Sequence, residues 1–128
     1  MSFTSVQAAH DALEAALLAA SASLPADDQF RVHAEVSDSV DPPAAVLAPP
    51  LLTWAGPGLA PTDATWQVAI VAKAGTGRTA SDLYRALPTI AEAIDMQTDF
   101  VVKQAEPGSW QSGNDTLPCF LLTIEVAL

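Results

Sequence analysis

The sequence predicts an α+β domain: a mostly antiparallel sheet of about five strands with two helices packed on one face. Three observations point there. Apolar residues recur at spacings of three and four near the N-terminus and again after residue 80, they alternate with period two in the stretches between and beyond, and Pro or Gly clusters separate the two patterns. Helix, strands, helix, strands in that order, with no internal repeat, is an α+β arrangement. A chain of 128 residues, 50% hydrophobic and 16% charged, fits a single domain over 1–128 with one core.

In "FTSVQAAHDALEAALLAASASLP" the residues Val6, Ala9, Leu13, Ala16, Leu17, Ala20 and Leu24 define one face of a helix. Thr4 and Gln7 have the spacing of a capping box, and Pro25 ends the segment, with "PADDQ" as the turn that follows. From Phe30 the period becomes two, placing Phe30, Val32, Ala34 and Val36 on one side of a half-buried strand and Arg31, His33 and Glu35 on the other. In "DPPAAVLAPPLLTW" two Pro-Pro pairs bracket the apolar run Ala44 to Ala48. Proline cannot donate to a ladder, so this strand is expected at a sheet edge with one side free.

"TWAGPGLAPTDA" is a loop that carries Trp54 and Leu59 outward, and "TWQVAIVAK" is a nearly continuous apolar strand expected at the sheet centre. After "AGTG", the residues Leu83, Leu87, Ile90, Ala91 and Ile94 mark a second helix, with Thr79 or Ser81 as N-cap. Pro88 inside it predicts a kink or short break near Tyr84 to Leu87. "DFVVKQAEP" and "LPCFLLTIEVAL" are the last two strands, separated by the polar loop "GSWQSGNDT", with Phe120, Leu122, Ile124 and Val126 sharing a side.

Fifteen acidic residues against five basic ones give a formal charge of -10, which argues against a groove that holds nucleic acid. Asp11, Glu14, Arg31 and Lys73 interrupt the most apolar stretches, so no membrane span is expected. No Lys or Arg precedes the alanine-rich N-terminal run, which does not read as a signal peptide, and a cytoplasmic origin is the default expectation. The single cysteine, Cys119, lies in a strand pattern where a thiol acts as a small hydrophobe.

Catalytic patterns are weak throughout. Gly75 and Gly77 sit between a strand and a helix, but "AGTGRTAS" lacks the lysine of a P-loop and the third glycine of a dinucleotide fingerprint, leaving Arg78 as a faint anion contact. His10 and His33 have no partner at metal-ligand spacing, Ser109 and Ser112 stand outside a nucleophile elbow, and Asp27 with Asp28 is an ordinary acidic turn. No catalytic residue, cofactor or metal is assigned. What is unusual is apolar bulk in loops, Trp54 and Leu59 in one and Trp110 in another, which reads as an interface, whereas Trp66 is in phase with Val68 and Ile70 and reads as core.

From Asp41 to Leu128 the segments "DPPAAVLAPPLLTW", "PTDATWQVAIVAK", "LYRALPTIAEAI" and "QAEPGSWQSGNDTLPCFLLTIEVAL" together resemble the small tail terminator proteins of long-tailed bacteriophages, especially those of actinobacterial hosts. That resemblance implies a homo-oligomeric ring, commonly of six copies, that caps the major tail tube protein, stops its polymerisation and meets the head-tail connector or stopper protein. It implies a place in the virion neck after assembly in the host cytoplasm, with DNA passing through the ring unbound. Leu51, Trp54, Leu59 and Trp110 are then the expected subunit or tube interface, and Glu35, Gln67 and Glu125 the expected lumen lining, with Arg31 and Lys103 in the same phase as candidates for ion pairs between subunits. Alternative readings are another neck component, such as a head-to-tail stopper or tail completion protein, a small anion-binding domain using Gly75 to Arg78, or an enzyme accessory subunit.

Overall fold

The computed structural model of the chain describes residues 5–25, 29–33, 43–58, 60–71, 79–96, 99–112 and 115–128. In chain order they form α1 (Val6–Ser23), β1 (Arg31–His33), β2 (Ala44–Leu47), β3 (Leu51–Thr53), β4 (Asp63–Val71), α2 (Thr79–Asp95), β5 (Phe100–Ser112) and β6 (Asp115–Ala127). The fold is α+β. One sheet of six strands runs in the order β1-β2-β4-β6-β5, and β3 joins β4 on the same side as β2. All pairings are antiparallel except β1 with β2.

The helix N-terminus differs from the capping-box expectation. Ser5, in extended backbone, is the N-cap, its Oγ accepting from the Ala8 N–H at 3.1 Å, while Gln7 Nε2 donates forward to Asp11 Oδ1 at 2.8 Å. Thr4 lies outside the described residues. At the other end Leu24 turns to extended backbone and Pro25 follows, as the sequence anticipates. The helix is then tied to the sheet by one side chain. Buried Ser21 Oγ accepts the Phe30 N–H at 2.9 Å and donates to the Phe30 carbonyl at 2.8 Å, satisfying both backbone groups of the residue that leads into β1.

Both helices pack on one face of the sheet. There Ala9, Leu13, Leu17 and Ala20 of α1 and Ala86, Ile90 and Ile94 of α2 enclose Ala45, Leu47, Ala64, Trp66, Val68, Ile70, Leu122, Ile124 and Val126. Trp66 is fully buried, in accord with its strand phase, and His10 of α1 lies with its ring centroid 6.4 Å away. The indole N–H of Trp66 has no acceptor among the described residues, a cost set against the large apolar area of the ring. A second, smaller cluster occupies the opposite face, formed by Ala44, Val46, Ala69, Val71, Leu117 and Cys119 with Trp110 and Leu121 beside it. The central strand is therefore covered on both faces only over its C-terminal half, which is why its sequence reads as continuously apolar from Val68 to Val71.

Four sequence expectations need correction. The Pro-bracketed strand is not a free edge: β2 pairs with β4 on one side and β1 on the other, and all four of its residues are buried. Pro43 and Pro49 stand just outside the paired segment, so Ala44–Leu47 keep all their donors, and Pro43 contributes its carbonyl to the Arg31 N–H at 3.0 Å. Of the kink or short break expected near Tyr84 to Leu87, the break does not occur: α2 runs from Thr79 through Pro88 to Asp95, Pro88 is exposed, and its missing bond falls on the carbonyl of exposed Tyr84, where water can replace it. The same span places both N-cap candidates, Thr79 and Ser81, inside the helix rather than at its cap. Finally, β5 and β6 are longer than the sequence suggests and meet in a tight hairpin, so Trp110 lies within a strand.

Two one-residue slips shape the sheet. Between Leu47↔Val68 and Leu51↔Thr65 the chain advances four residues while β4 advances three, and the Pro49-Pro50 pair occupies the slip. A second slip in β5 inserts Lys103 between the Val102↔Ile124 and Gln104↔Thr123 pairs. Because side chains alternate, each slip exchanges the faces of everything beyond it. Replacing Ser21 by Ala is expected to cost about 1–3 kcal/mol, by stranding the Phe30 N–H and carbonyl, measured as a lower urea midpoint with unchanged slope.

Candidate interaction surface

The first slip decides what β3 shows to solvent. In the register of β2, Leu51 would face the helices; one residue out, it pairs with Thr65 on the opposite face and is 67% exposed, while Leu52 turns inward onto the helix-side core. β3 pairs only with β4 among the described residues, so the free edge anticipated for the Pro-bracketed strand lies here, one strand downstream.

Trp54 follows β3 immediately and is 50% exposed. Its position is set by Thr62 at the far end of the loop. The Thr62 N–H donates to the Thr53 carbonyl at 2.8 Å, and Thr62 Oγ1 accepts the Ala55 N–H at 3.0 Å. The same hydroxyl lies 3.2 Å from both the Thr53 carbonyl and Asp63 Oδ2, either of which can take its one proton. The loop is thus clasped at its base, whereas a Cβ placed on Gly56 or Gly58 would meet nothing within 4 Å. A fixed aromatic beside an open tip is suited to contact with another molecule.

Across the sheet, pairing aligns Leu51, Thr65, Glu125 and Val101 in one row on the face away from the helices. Val101 is 50% exposed, so two solvent-facing apolar side chains bracket Thr65 and Glu125 at a separation of roughly 14 Å, three inter-strand steps. Glu125 and Gln67, both expected to line a lumen, are exposed on this same face, on neighbouring strands. Glu125 is not a bare carboxylate. Lys103, on this face by alternation from Val101 and Val102, stands 3.6 Å from it within the same chain, an exposed pair worth at most about 1 kcal/mol. The pairing of Lys103 is therefore intramolecular. Arg31 shares the face but lies on β1, at the other margin of the sheet.

The second slip places Trp110 opposite Leu117, half-buried against the small second cluster, so it contributes to the protein's own packing and is not a loop anchor. Leu59, Glu35, Asp27, Asp28 and the Gly75 to Arg78 turn lie outside the described residues. Val101 is the surface residue that sequence reasoning missed: it stands in the apolar run Phe100 to Val102, whose other two members face the helix-side core, and the pairing with Glu125 turns it to solvent.

His10, Asp11 and Glu14 bring one ligand-type atom each to within 4.8 Å of one another on α1. Asp11 Oδ1 already accepts from Gln7 Nε2 one turn back and lies 3.6 Å from His10 Nδ1, beyond hydrogen-bond distance, so the group is an arrangement of side chains along a helix surface. Burial pushes the Cys119 thiol above its ordinary pKa by penalising the thiolate. Among the described residues no helix is long and apolar enough to cross a membrane. No protein-family model matches the chain, and no curated protein matches it either.

Because the folded state holds the Cys119 proton more tightly than the unfolded chain, its contribution to stability is complete below the unfolded pKa, roughly 8.5. That contribution is lost as pH rises through the higher folded value. Denaturation midpoints measured from pH 8 to alkaline pH are expected to fall more for the natural chain than for Cys119→Ala, and alkylation of the native thiol to lag far behind that of the urea-unfolded chain.

Proposed function

We propose that this chain is a structural assembly protein of the tail-terminator kind, a ring that caps a phage tail tube, stops its growth and joins it to the head connector in the virion neck. The observation that carries the reading is the surface at the Pro-interrupted edge: Leu51 and Trp54 stand in solvent on a short strand whose outer side has no partner among the described residues. An edge of three residues, preceded by a proline slip, offers a contact that ends where it begins. A contact bounded in that way seats one neighbour, a sibling subunit or the tube protein, and does not run on as a sheet. Gln67, two residues along β4 from Thr65 on the same open face, gives the proposed lumen a polar, uncharged wall. Such a wall lets DNA slide without a cluster of cations to hold it.

The reading is tested by adding the purified chain to polymerising cognate tube protein and measuring tube lengths by negative-stain microscopy. Capping predicts short tubes of narrow length distribution bearing an annulus at one end; long tubes at every chain concentration would refute it. Trp54→Ala is expected to weaken capping at least about tenfold, the scale of an interface anchor, with thermal stability nearly unchanged because the side chain is half in solvent.

A further inference from the structure

Pairing gathers one end of the sheet: the last residues of β3, the first of β4, the last of β6 and the first of β5. The C-terminus of α2 joins them, since Asp95 Oδ1 accepts the Val102 N–H at 3.3 Å. This end carries four exposed large hydrophobic residues, Leu51, Trp54, Val101 and Met96, the last 75% exposed. Between and around them stand the exposed carboxylates of Asp63, Asp95 and Glu125, with Lys103, which Glu125 already engages, as the one cation among the described residues of these strand ends. Apolar anchors set among carboxylates are the chemistry that recognises a segment with apolar side chains and flanking Lys or Arg.

We propose that this end of the sheet docks a basic, apolar-anchored segment of a different protein, not a second copy of the chain. A second copy brings fifteen carboxylates and five cations, so two such ends repel each other over the Debye distance before any apolar contact forms. The basic partner is attracted over that distance, and its cations meet Glu125 and Asp63 while its apolar groups reach Leu51 and Val101 on either side. The occupant spans roughly 14 Å between those two anchors. The inference rests on reading the Leu51–Trp54 edge as a contact surface in the proposed assembly, and within that assembly it assigns the edge to the heterologous partner and leaves ring closure to another surface.

The test uses the full chain and three labelled peptides of equal length, Lys/Leu, Glu/Leu and Lys/Ser, followed by fluorescence anisotropy. The Lys/Leu peptide is expected to bind, with affinity falling about tenfold or more between low and physiological salt, and the other two to bind far more weakly. Trp54→Ala and the double change Leu51→Ser with Val101→Ser should each lower that affinity at least about fivefold. The pair Asp63→Asn with Glu125→Gln should leave weaker binding whose salt dependence is flattened. Equal binding of the Glu/Leu peptide, or affinity indifferent to these substitutions, overturns the proposal. So does sedimentation showing that copies associate through Trp54 at physiological salt without peptide, which would make the occupant a second copy. Tubes capped normally by a chain that ignores the Lys/Leu peptide would sink this inference alone; peptide bound as expected while tubes grow unchecked would sink the assembly reading alone.

Discussion

The nine-residue ladder between β4 and β6 is the constraint on which the remaining structure depends. It fixes a common phase for Trp66, Val68 and Ile70 on one strand and Phe120, Leu122, Ile124 and Val126 on the other, and so makes a single apolar surface for both helices to cover. Once that phase is set, β2, β3 and β5 can each add only in registers that respect it, because a residue of error turns a whole strand inside out. The short strands hold by this template: three or four residues have little pairing energy alone, but they extend a surface that is already ordered.

Against that rigid pair, the irregularities fall at the margins, and they are what create the surface. Prolines 49 and 50 cost the sheet their donors at a point where the register slips anyway, and the slip turns Leu51 out and Leu52 in. The insertion at Lys103 does the same for the part of β5 beyond it, turning Trp110 toward Leu117. The exposure of Leu51 is therefore a product of backbone register, whereas Val101 lies ahead of the second slip and is turned out by alternation with Phe100 and Val102.

That division also explains what the sequence could and could not disclose. The period of α1, the continuous apolar run of β4 and the alternation of β6 are set by burial on the helix-side core, so Leu13, Trp66 and Ile124 could be placed from spacing alone. Trp54 was legible as exposed because Pro and Gly surround it with no apolar period to join. A slip, by contrast, leaves no trace in periodicity: either face of β3 reads as apolar, and "GSWQSGNDT" reads as a polar loop although its residues pair with β6 nearly to the turn. The Pro-Pro brackets were read as marks of an edge when they mark the ends of a buried four-residue strand. Tertiary pairing with β1, a parallel partner contributed from before the brackets, has no local signal.

β5 bounds the sheet with thirteen residues, a length that in a flat, regular strand would template the stacking of further chains. The extra residue at Lys103 twists it, its ammonium group resists entry into a dry interface, and Pro107 removes a donor four positions later. Flat continuation of the sheet by another chain along its longest margin is thereby disfavoured.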